Sequence, residues 1–222
     1  QDPDPGVVVP RPYDRLPAVN FHAGKYDVWG GFDWTFDAEA TRFSHPTDVQ
    51  GSRLVVVPQV SFPIVRPGYF ITPKLMLNAS AYQLDTDATT KAQFPQTSLT
   101  RAVPTFSLDS GLVFERDTHL FGSKGGTQTL EPRLFYVYTP YRDQSQFPKF
   151  DTDNGTFNLT QIFTENRFVG SDRIGDANQV TAAVVSRFLQ PDGAERMRLT
   201  FGQRFYFADQ RVQLNSTTPV NQ

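Results

Sequence analysis

Residues 31–40 read GFDWTFDAEA, and this stretch decides the fold because its apolar and polar residues alternate strictly. Phe32 and Trp34 share one parity, whereas Asp33 and Asp37 share the other. Successive side chains of a β-strand point to opposite faces, so a strand separates the rings from the carboxylates, which a helix would not do. The carboxylate face requires water. The aromatic face fits either a protein core or the hydrocarbon of a bilayer.

The composition excludes several classes of protein. The 222 residues carry 21 basic and 23 acidic side chains, so the basic surface of a nucleic-acid-binding protein is missing. The absence of cysteine excludes a disulfide framework, a thiolate metal site and a cysteine nucleophile. The longest charge-free apolar run, residues 54–65, contains two prolines and is too short for a spanning helix. A helical membrane protein is therefore not expected.

The alternation recurs along the chain, and 17 prolines and 15 glycines punctuate it, so the sequence predicts an all-β fold. We expect strands at residues 16–23, 28–43, 53–65, 69–84, 99–115, 129–141, 179–189 and 196–208. The connections at 24–25, 66–68 and 191–193 are tight, whereas those after the second, fourth and sixth strands are longer and more polar. An up-and-down membrane barrel segregates short turns from long loops in this way, and a soluble sandwich has no reason to do so.

Strand length points in the same direction. Several predicted strands are about 11 to 16 residues long, whereas soluble strands centre near 5 to 6 and a tilted strand crosses a bilayer with about 9 to 11. The polar faces carry both signs of charge, as a water-filled lumen allows. These patterns favour a transmembrane barrel and leave a soluble β-sandwich or barrel open.

No motif specifies catalysis or a bound cofactor. Residues 151–162 resemble a calcium loop, but Ile162 stands where a bidentate glutamate is required. Residues 122–127 lack the spacing of a phosphate-binding loop, and the three histidines are far apart in sequence. The carboxylates on the polar faces are interspersed with arginines, which is typical of a solvated wall rather than an acid–base pair. We expect no enzyme activity, no cofactor and no metal.

Two runs of the chain resemble one family of outer-membrane proteins. Residues 113–152 contain FERD, TQTLEPR and PYRDQS, and residues 166–207 contain DRI, ANQ and SRF. In this order and spacing, over roughly half of the chain, these pieces are similar to the central barrel of the LptD family of lipopolysaccharide (LPS) assembly proteins, also called OstA or Imp. The N-terminal part, with RPYDRLPAV, fits the family more loosely.

The resemblance implies an antiparallel up-and-down transmembrane β-barrel in the outer membrane of a Gram-negative cell, with about 26 strands, of which this chain supplies about 8. It implies that the protein inserts LPS into the outer leaflet, with LPS, an LptE-like lipoprotein plug and a periplasmic Lpt bridge protein as partners. We then expect residues 1–222 to be a middle part of the barrel, without the periplasmic N-terminal domain and the terminal barrel strands. The competing interpretation is a soluble β-sandwich carbohydrate-binding module.

Strand parity and loop length give the candidate site residues. The lumen-facing candidates are Asp33, Asp37, Glu39, Arg101, Asp109, Glu131, Arg133, Arg187, Arg198 and Arg204. The lipid-facing candidates are Phe32, Trp34, Phe36, Phe106, Leu108, Phe114, Leu199 and Phe201. The long extracellular loop at about 142–177 exceeds a plain connector, so we expect it to fold over or into the barrel mouth. Its pinning candidates are Asp172, Arg173 and Asp176.

Overall fold

The computed structural model describes residues 11–119, 125–155 and 161–214. Three of the segments discussed above fall partly outside the described residues: the 122–127 turn, the 151–162 stretch and the long 142–177 loop. All structural statements below concern the described residues.

One large antiparallel sheet dominates the chain. Its strands, and a separate short hairpin, are β1 (Asp14–Val28), β2 (Phe32–Ser44), β3 (Gln50–Ser61), β4 (Ile64–Arg66), β5 (Tyr69–Asp85), β6 (Ser98–Leu112), β7 (Phe114–Thr118), β8 (Gly126–Thr139), β9 (Asp153–Asn154), β10 (Phe168–Val169), β11 (Ala177–Leu189) and β12 (Glu195–Tyr206). The sheet order is β1-β2-β3-β5-β6-β8-β11-β12, with β4 beside β5 and β7 beside β8, while β9 pairs with β10 alone. Every ladder is antiparallel, so the predicted all-β, up-and-down architecture is confirmed.

The first tight turn lies later in the chain than predicted. Gly24 belongs to β1 and pairs with Thr35, so the predicted turn at residues 24–25 is wrong. The chain instead reverses at Trp29, Gly30 and Gly31, whose φ angles are 51°, 85° and 115°. Gly30 and Gly31 adopt positive φ without the steric cost of a Cβ, which favours the turn at this position.

Two of the predicted strands are divided. The stretch predicted at 53–65 becomes β3 and β4, and the one at 99–115 becomes β6 and β7. The pairing register nevertheless continues across both breaks. Phe62 N donates to Pro73 O at 3.0 Å, next to the Ser61–Lys74 pair, and Val113 N donates to Gly68 O at 2.8 Å, next to the Leu112–Tyr69 pair. The first strand, predicted at 16–23, extends over Asp14–Val28, and the remaining predicted strands differ from the observed ones by at most about four residues at an end.

The register gives the sheet two chemically distinct faces. The inner face carries Arg53, which pairs with Tyr82, and both side chains are almost fully buried. The outer face carries Leu54, Leu75 and Phe201, which are 50%, 57% and 68% exposed. The described residues therefore bury the polar face around Arg53 and leave much of the apolar face uncovered, the reverse of an ordinary soluble sheet.

The inner face is buried because the chain between β8 and β11 folds back across it. We call residues 140–176 the covering segment; it includes β9, β10 and a 3-10 turn, Gln161–Phe163. One apolar cluster joins the sheet to it through Phe43, Val49, Tyr82, Leu84, Leu99, Phe147 and Phe150. A second joins Phe135, Val137 and Ala177 to Phe163. Each large apolar side chain removed from water in this way contributes about 1.5–3 kcal/mol.

Candidate functional site

A buried ionic cluster lies where the covering segment meets β2 and β3. Its centre is Arg53, with 1% of its surface exposed. Arg53 Nη1 donates to Asp151 Oδ1 and to Asp172 Oδ1, both at 2.7 Å. Its Nη2 donates to Asp151 Oδ2 and to Glu39 Oε1, both at 2.6 Å. One guanidinium from the sheet thus binds two carboxylates of the covering segment and one of the neighbouring strand.

Asp172 is the fully buried carboxylate of this cluster. Besides Arg53, its Oδ1 accepts a hydrogen bond from the hydroxyl of Tyr82 at 3.0 Å. Its Oδ2 accepts from the backbone amides of Phe150 and Asp151 at 2.7 and 2.8 Å. Four donors from two strands and the covering segment therefore compensate for its loss of solvation.

A second arginine, Arg101 on β6, extends the cluster. It donates to Gln144 Oε1 at 2.6 Å and to the carbonyl oxygens of Ser171 and Asp172 at 2.8 and 2.7 Å. Gln144 in turn bonds both backbone groups of Ile174, at 2.7 and 3.0 Å. The inner-face arginines of two strands therefore hold both arms of the covering segment.

The two buried aspartates of the covering segment respond differently to their surroundings. Burial raises the pKa of Asp172 above its ordinary value despite the nearby Arg53. Burial also opposes ionisation of Asp151, but hydrogen bonds and charge from Arg53 outweigh it and lower the pKa of Asp151.

The three loop-pinning candidates have different partners. Asp172 alone among them bonds side chains of the sheet. Arg173 donates to the carbonyl oxygens of Phe147 and Pro148 at 2.8 and 3.2 Å, which braces the covering segment internally. Asp176 accepts hydrogen bonds from the backbone amides of Arg211 and Val212, following β12. The pinning role itself remains a prediction.

The register places all ten lumen-facing candidates on the inner face. Several of them form charge pairs, such as Asp109 with Arg133 at 2.6 Å and Glu131 with Arg187 at 3.1 Å. The contacts of the others are Asp33 with the Asp27 amide, Asp37 with His22, Glu39 with Arg53, Arg101 with Gln144, Arg198 with Glu195 and Arg204 with Gln161 O. Whether they line a lumen remains a prediction.

All eight lipid-facing candidates lie on the outer face. Direct pairings run across it from Trp34 through Val60, Leu75 and Phe106 to Tyr138. By the same alternation, Phe32, Phe36, Leu108, Phe114, Leu199 and Phe201 share this face. Their contact with lipid remains a prediction.

The sequence reasoning missed four members of the buried cluster: Arg53, Tyr82, Gln144 and Asp151. For Arg53 a signal existed, since it precedes the apolar run LVVV and has the parity that predicts the polar face. Within the described ranges, no group of three or more His, Cys, Asp or Glu residues could hold a metal ion. In the same ranges, no helix is long and apolar enough to cross a membrane.

Gly170 is tightly enclosed by the cluster, so its substitution by alanine should disturb Asp151. Its φ is +74°, and an added Cβ would overlap the carbonyl oxygen and the side-chain carboxylate of Asp151. Gly193 has a similar φ of +84° but open space around it. We expect Gly193→Ala to lower the free energy of unfolding by about 1–2 kcal/mol through backbone strain alone, and Gly170→Ala to lower it further. Equal losses in denaturant titrations would contradict this account of Gly170.

Asp87 should organise the loop at residues 86–97 in a pH-dependent way. Its carboxylate accepts hydrogen bonds from the amide and hydroxyl of Thr90 and of Thr89 at 2.8–2.9 Å, and these lower its pKa to about 2. A lowered pKa stabilises the turn above the ordinary value of about 4, and the effect is lost as the pH falls towards 2. We expect hydrogen-exchange protection of the Thr90 amide to fall over this window. In Asp87→Ala, the protection should be low and independent of pH; a pH-dependent loss there would contradict the assignment.

Comparison with known proteins gives a consistent result. The sequence model of the LptD family, described as LPS transport system D, matches residues 10–222. The LPS-assembly protein LptD of Ralstonia nicotianae is 52% identical over 216 residues, which cover 95% of this chain and 26% of that protein. The corresponding protein of Aromatoleum aromaticum is 50% identical over 207 residues, 91% of this chain and 26% of its own length. The chain thus spans about a quarter of the length of these relatives.

Proposed function

Since the chain belongs to the LptD family, we propose that its sheet is a sector of an outer-membrane barrel wall through which LPS is assembled into the outer leaflet. Relatives at about 50% identity bear the name LPS-assembly protein. Within the described residues, β1 and β12 pair on one side only. Unpaired strand edges are costly in hydrocarbon, so further strands beside both edges would complete the wall, with this sector in the middle part of the barrel.

The two faces of the sheet fit the two media that LPS requires. LPS is an amphiphile, so its acyl chains must reach the bilayer while its charged sugars remain in water. Leu75 and Phe201 represent the uncovered apolar face, and the Asp109–Arg133 pair represents the polar face. With the first in hydrocarbon and the second lining the lumen, the wall serves transport without catalysis. The presence of one apolar, uncovered face and one charged face on the same sheet is the observation that carries the proposal.

The covering segment would act as an extracellular constriction. It lies at the end of the sheet that carries the long connections, opposite the tight turns at residues 29–31 and 66–68. Because it occupies the inner face around Arg53 and Arg101, an LptE-like lipoprotein plug would meet the covering segment there rather than the strands. Nearer the turn end, the plug or LPS would meet the Glu131–Arg187 pair directly. A periplasmic bridge protein would deliver LPS to the assembled barrel.

The soluble carbohydrate-binding sandwich is not favoured. A sandwich packs a second sheet against the apolar face of the first. Here the second layer is the covering segment, it lies on the polar face, and the described residues leave the apolar face open. The described residues therefore lack the packed apolar interface between two sheets that forms the core of a sandwich.

A segment exchange tests the proposal. Residues 11–214 would replace the matching segment of the Ralstonia nicotianae relative in cells depleted of their own copy. We expect the chimera to restore LPS on the cell surface, measured by antibody binding to intact cells. A matched chimera carrying Arg66→Ala, an exposed change in a turn, should behave identically. A chimera that reaches the outer membrane in normal amount but leaves LPS inside the cell would contradict the proposal.

A further inference from the structure

A cavity of ≈ 310 Å³ lies at the loop end of the sheet, beside the buried ionic cluster, whose Gln144 forms part of its wall. Three separate connections form it: Phe94 comes from the loop after β5, Tyr141 and Lys149 come from the covering segment, and Arg211 follows β12. Its volume is near the lower end of the range for small-molecule sites. The walls of the cavity are therefore complete only when all three connections are folded against one another.

Positive charge predominates in this cavity. Among the described residues that line it, Lys149, Arg173 and Arg211 are cationic and Asp143 is the only carboxylate. Hydrogen bonding from the Ser145 amide, at 3.0 Å, lowers the pKa of Asp143, which keeps it ionised. Cationic side chains therefore outnumber carboxylates among the described residues of this lining.

Two of the three cations are not neutralised by an ion pair with any residue that the structure describes. Arg173 is buried, and its side-chain partners are the carbonyl oxygens of Phe147, Pro148 and Asp172. Arg211 instead stacks on the ring of Tyr141, with its guanidinium carbon 3.7 Å from the ring centroid. The N–H groups of a guanidinium point outward in the guanidinium plane. A guanidinium held on an aromatic face therefore keeps them available to an anion.

We propose that this cavity binds an anionic saccharide, one that carries phosphate or carboxylate groups. Arg211 and Lys149 would supply charge-assisted hydrogen bonds to the anion, while Arg173, whose side chain already bonds carbonyl oxygens, adds positive charge. The ring of Phe94 would offer apolar surface to the C–H face of a sugar. The inference rests on the proposed function, which places this end of the sheet outside the cell, where the saccharide of newly delivered LPS emerges. The cavity would hold that saccharide after the lipid has reached the outer leaflet.

Calorimetry on the full-length protein with its partners, purified in detergent, tests the site. The probes are chemically deacylated LPS saccharide, the same saccharide after dephosphorylation, and inorganic phosphate. We expect the phosphorylated saccharide to bind, and Arg211→Gln and Lys149→Gln each to weaken binding by at least about fivefold, as loss of a charged hydrogen-bond donor does. The control Arg66→Gln removes an exposed cation at the turn end and should bind like the wild type.

Each other outcome contradicts a part of the inference. Equal affinity for the dephosphorylated saccharide would show that the cations do not recognise the anion. Equal affinity for inorganic phosphate would show that the sugar contributes nothing to binding. Binding that survives both substitutions, or no binding by any probe, would overturn the site. If the segment exchange restores surface LPS while the saccharide fails to bind, only this inference fails. If the saccharide binds while surface LPS is absent, the proposed function fails instead.

Discussion

Replacing Arg53 with alanine should detach the covering segment from the sheet. We expect it to lower the free energy of unfolding by about 3–5 kcal/mol, the range observed when one partner of a buried ion pair is removed. The substitution leaves Glu39, Asp151 and Asp172 close together without the cation that they share. Asp172 keeps Tyr82 and two backbone amides, but its charge is then unpaired in a buried site. The measurement is limited proteolysis of the full-length protein in detergent, where we expect new cleavage within residues 140–176.

Two further variants separate charge from geometry. Arg53→Lys keeps the positive charge but lacks the planar fork that reaches several carboxylates at once, so we expect partial detachment. Arg66→Ala removes an exposed turn arginine and should leave the cleavage pattern unchanged. An Arg53→Ala protein whose covering segment resists protease as the wild type does would show that the apolar clusters alone hold the segment.

The second large effect is expected at the outer face. Leu75 pairs with Val60 and Phe106 in the interior of the sheet and is 57% exposed. If this face meets hydrocarbon, Leu75→Arg should lower the free energy of unfolding of the full-length protein in lipid vesicles by about 2–4 kcal/mol, the cost of a cation near the bilayer midplane.

Leu112→Arg provides the matched control. Leu112 is 47% exposed and ends β6 at the turn end of the sheet. Near the membrane surface the same substitution should cost about 0–1 kcal/mol, because the arginine can reach water. Equal costs at the two positions, or a tolerated arginine at Leu75, would contradict a hydrocarbon environment.

Local alternation was sufficient to predict the strands and to sort their faces. The stretch around Trp34 and Asp37 repeats with period two, and period two is a property of the strand itself. Turn positions were less predictable: Gly24 and Gly30 are both glycines, but φ is positive only at Gly30. The register determines which of these glycines lies in the turn, and it depends on pairing across strands rather than on the local sequence.

The buried cluster could not be predicted in the same way. Arg53 is separated by 98 residues from Asp151 and by 119 from Asp172, and a pattern with a period of two carries no information over that distance. The length of the connection between β8 and β11 indicated that it folds inward. Its partners on the sheet, Arg53 and Tyr82, became identifiable only once the fold had brought them together.

The proposed function requires that the outer face of the sheet contacts hydrocarbon and that the inner face is accessible to water. Spin labels attached at Leu75→Cys and at Asp109→Cys in the full-length protein, reconstituted in lipid vesicles, test it through collision rates with oxygen and with a water-soluble nickel chelate. We predict that the label at Leu75 collides mainly with oxygen and the label at Asp109 mainly with the chelate. The reverse pattern, or strong chelate collisions at both positions, would contradict the assignment.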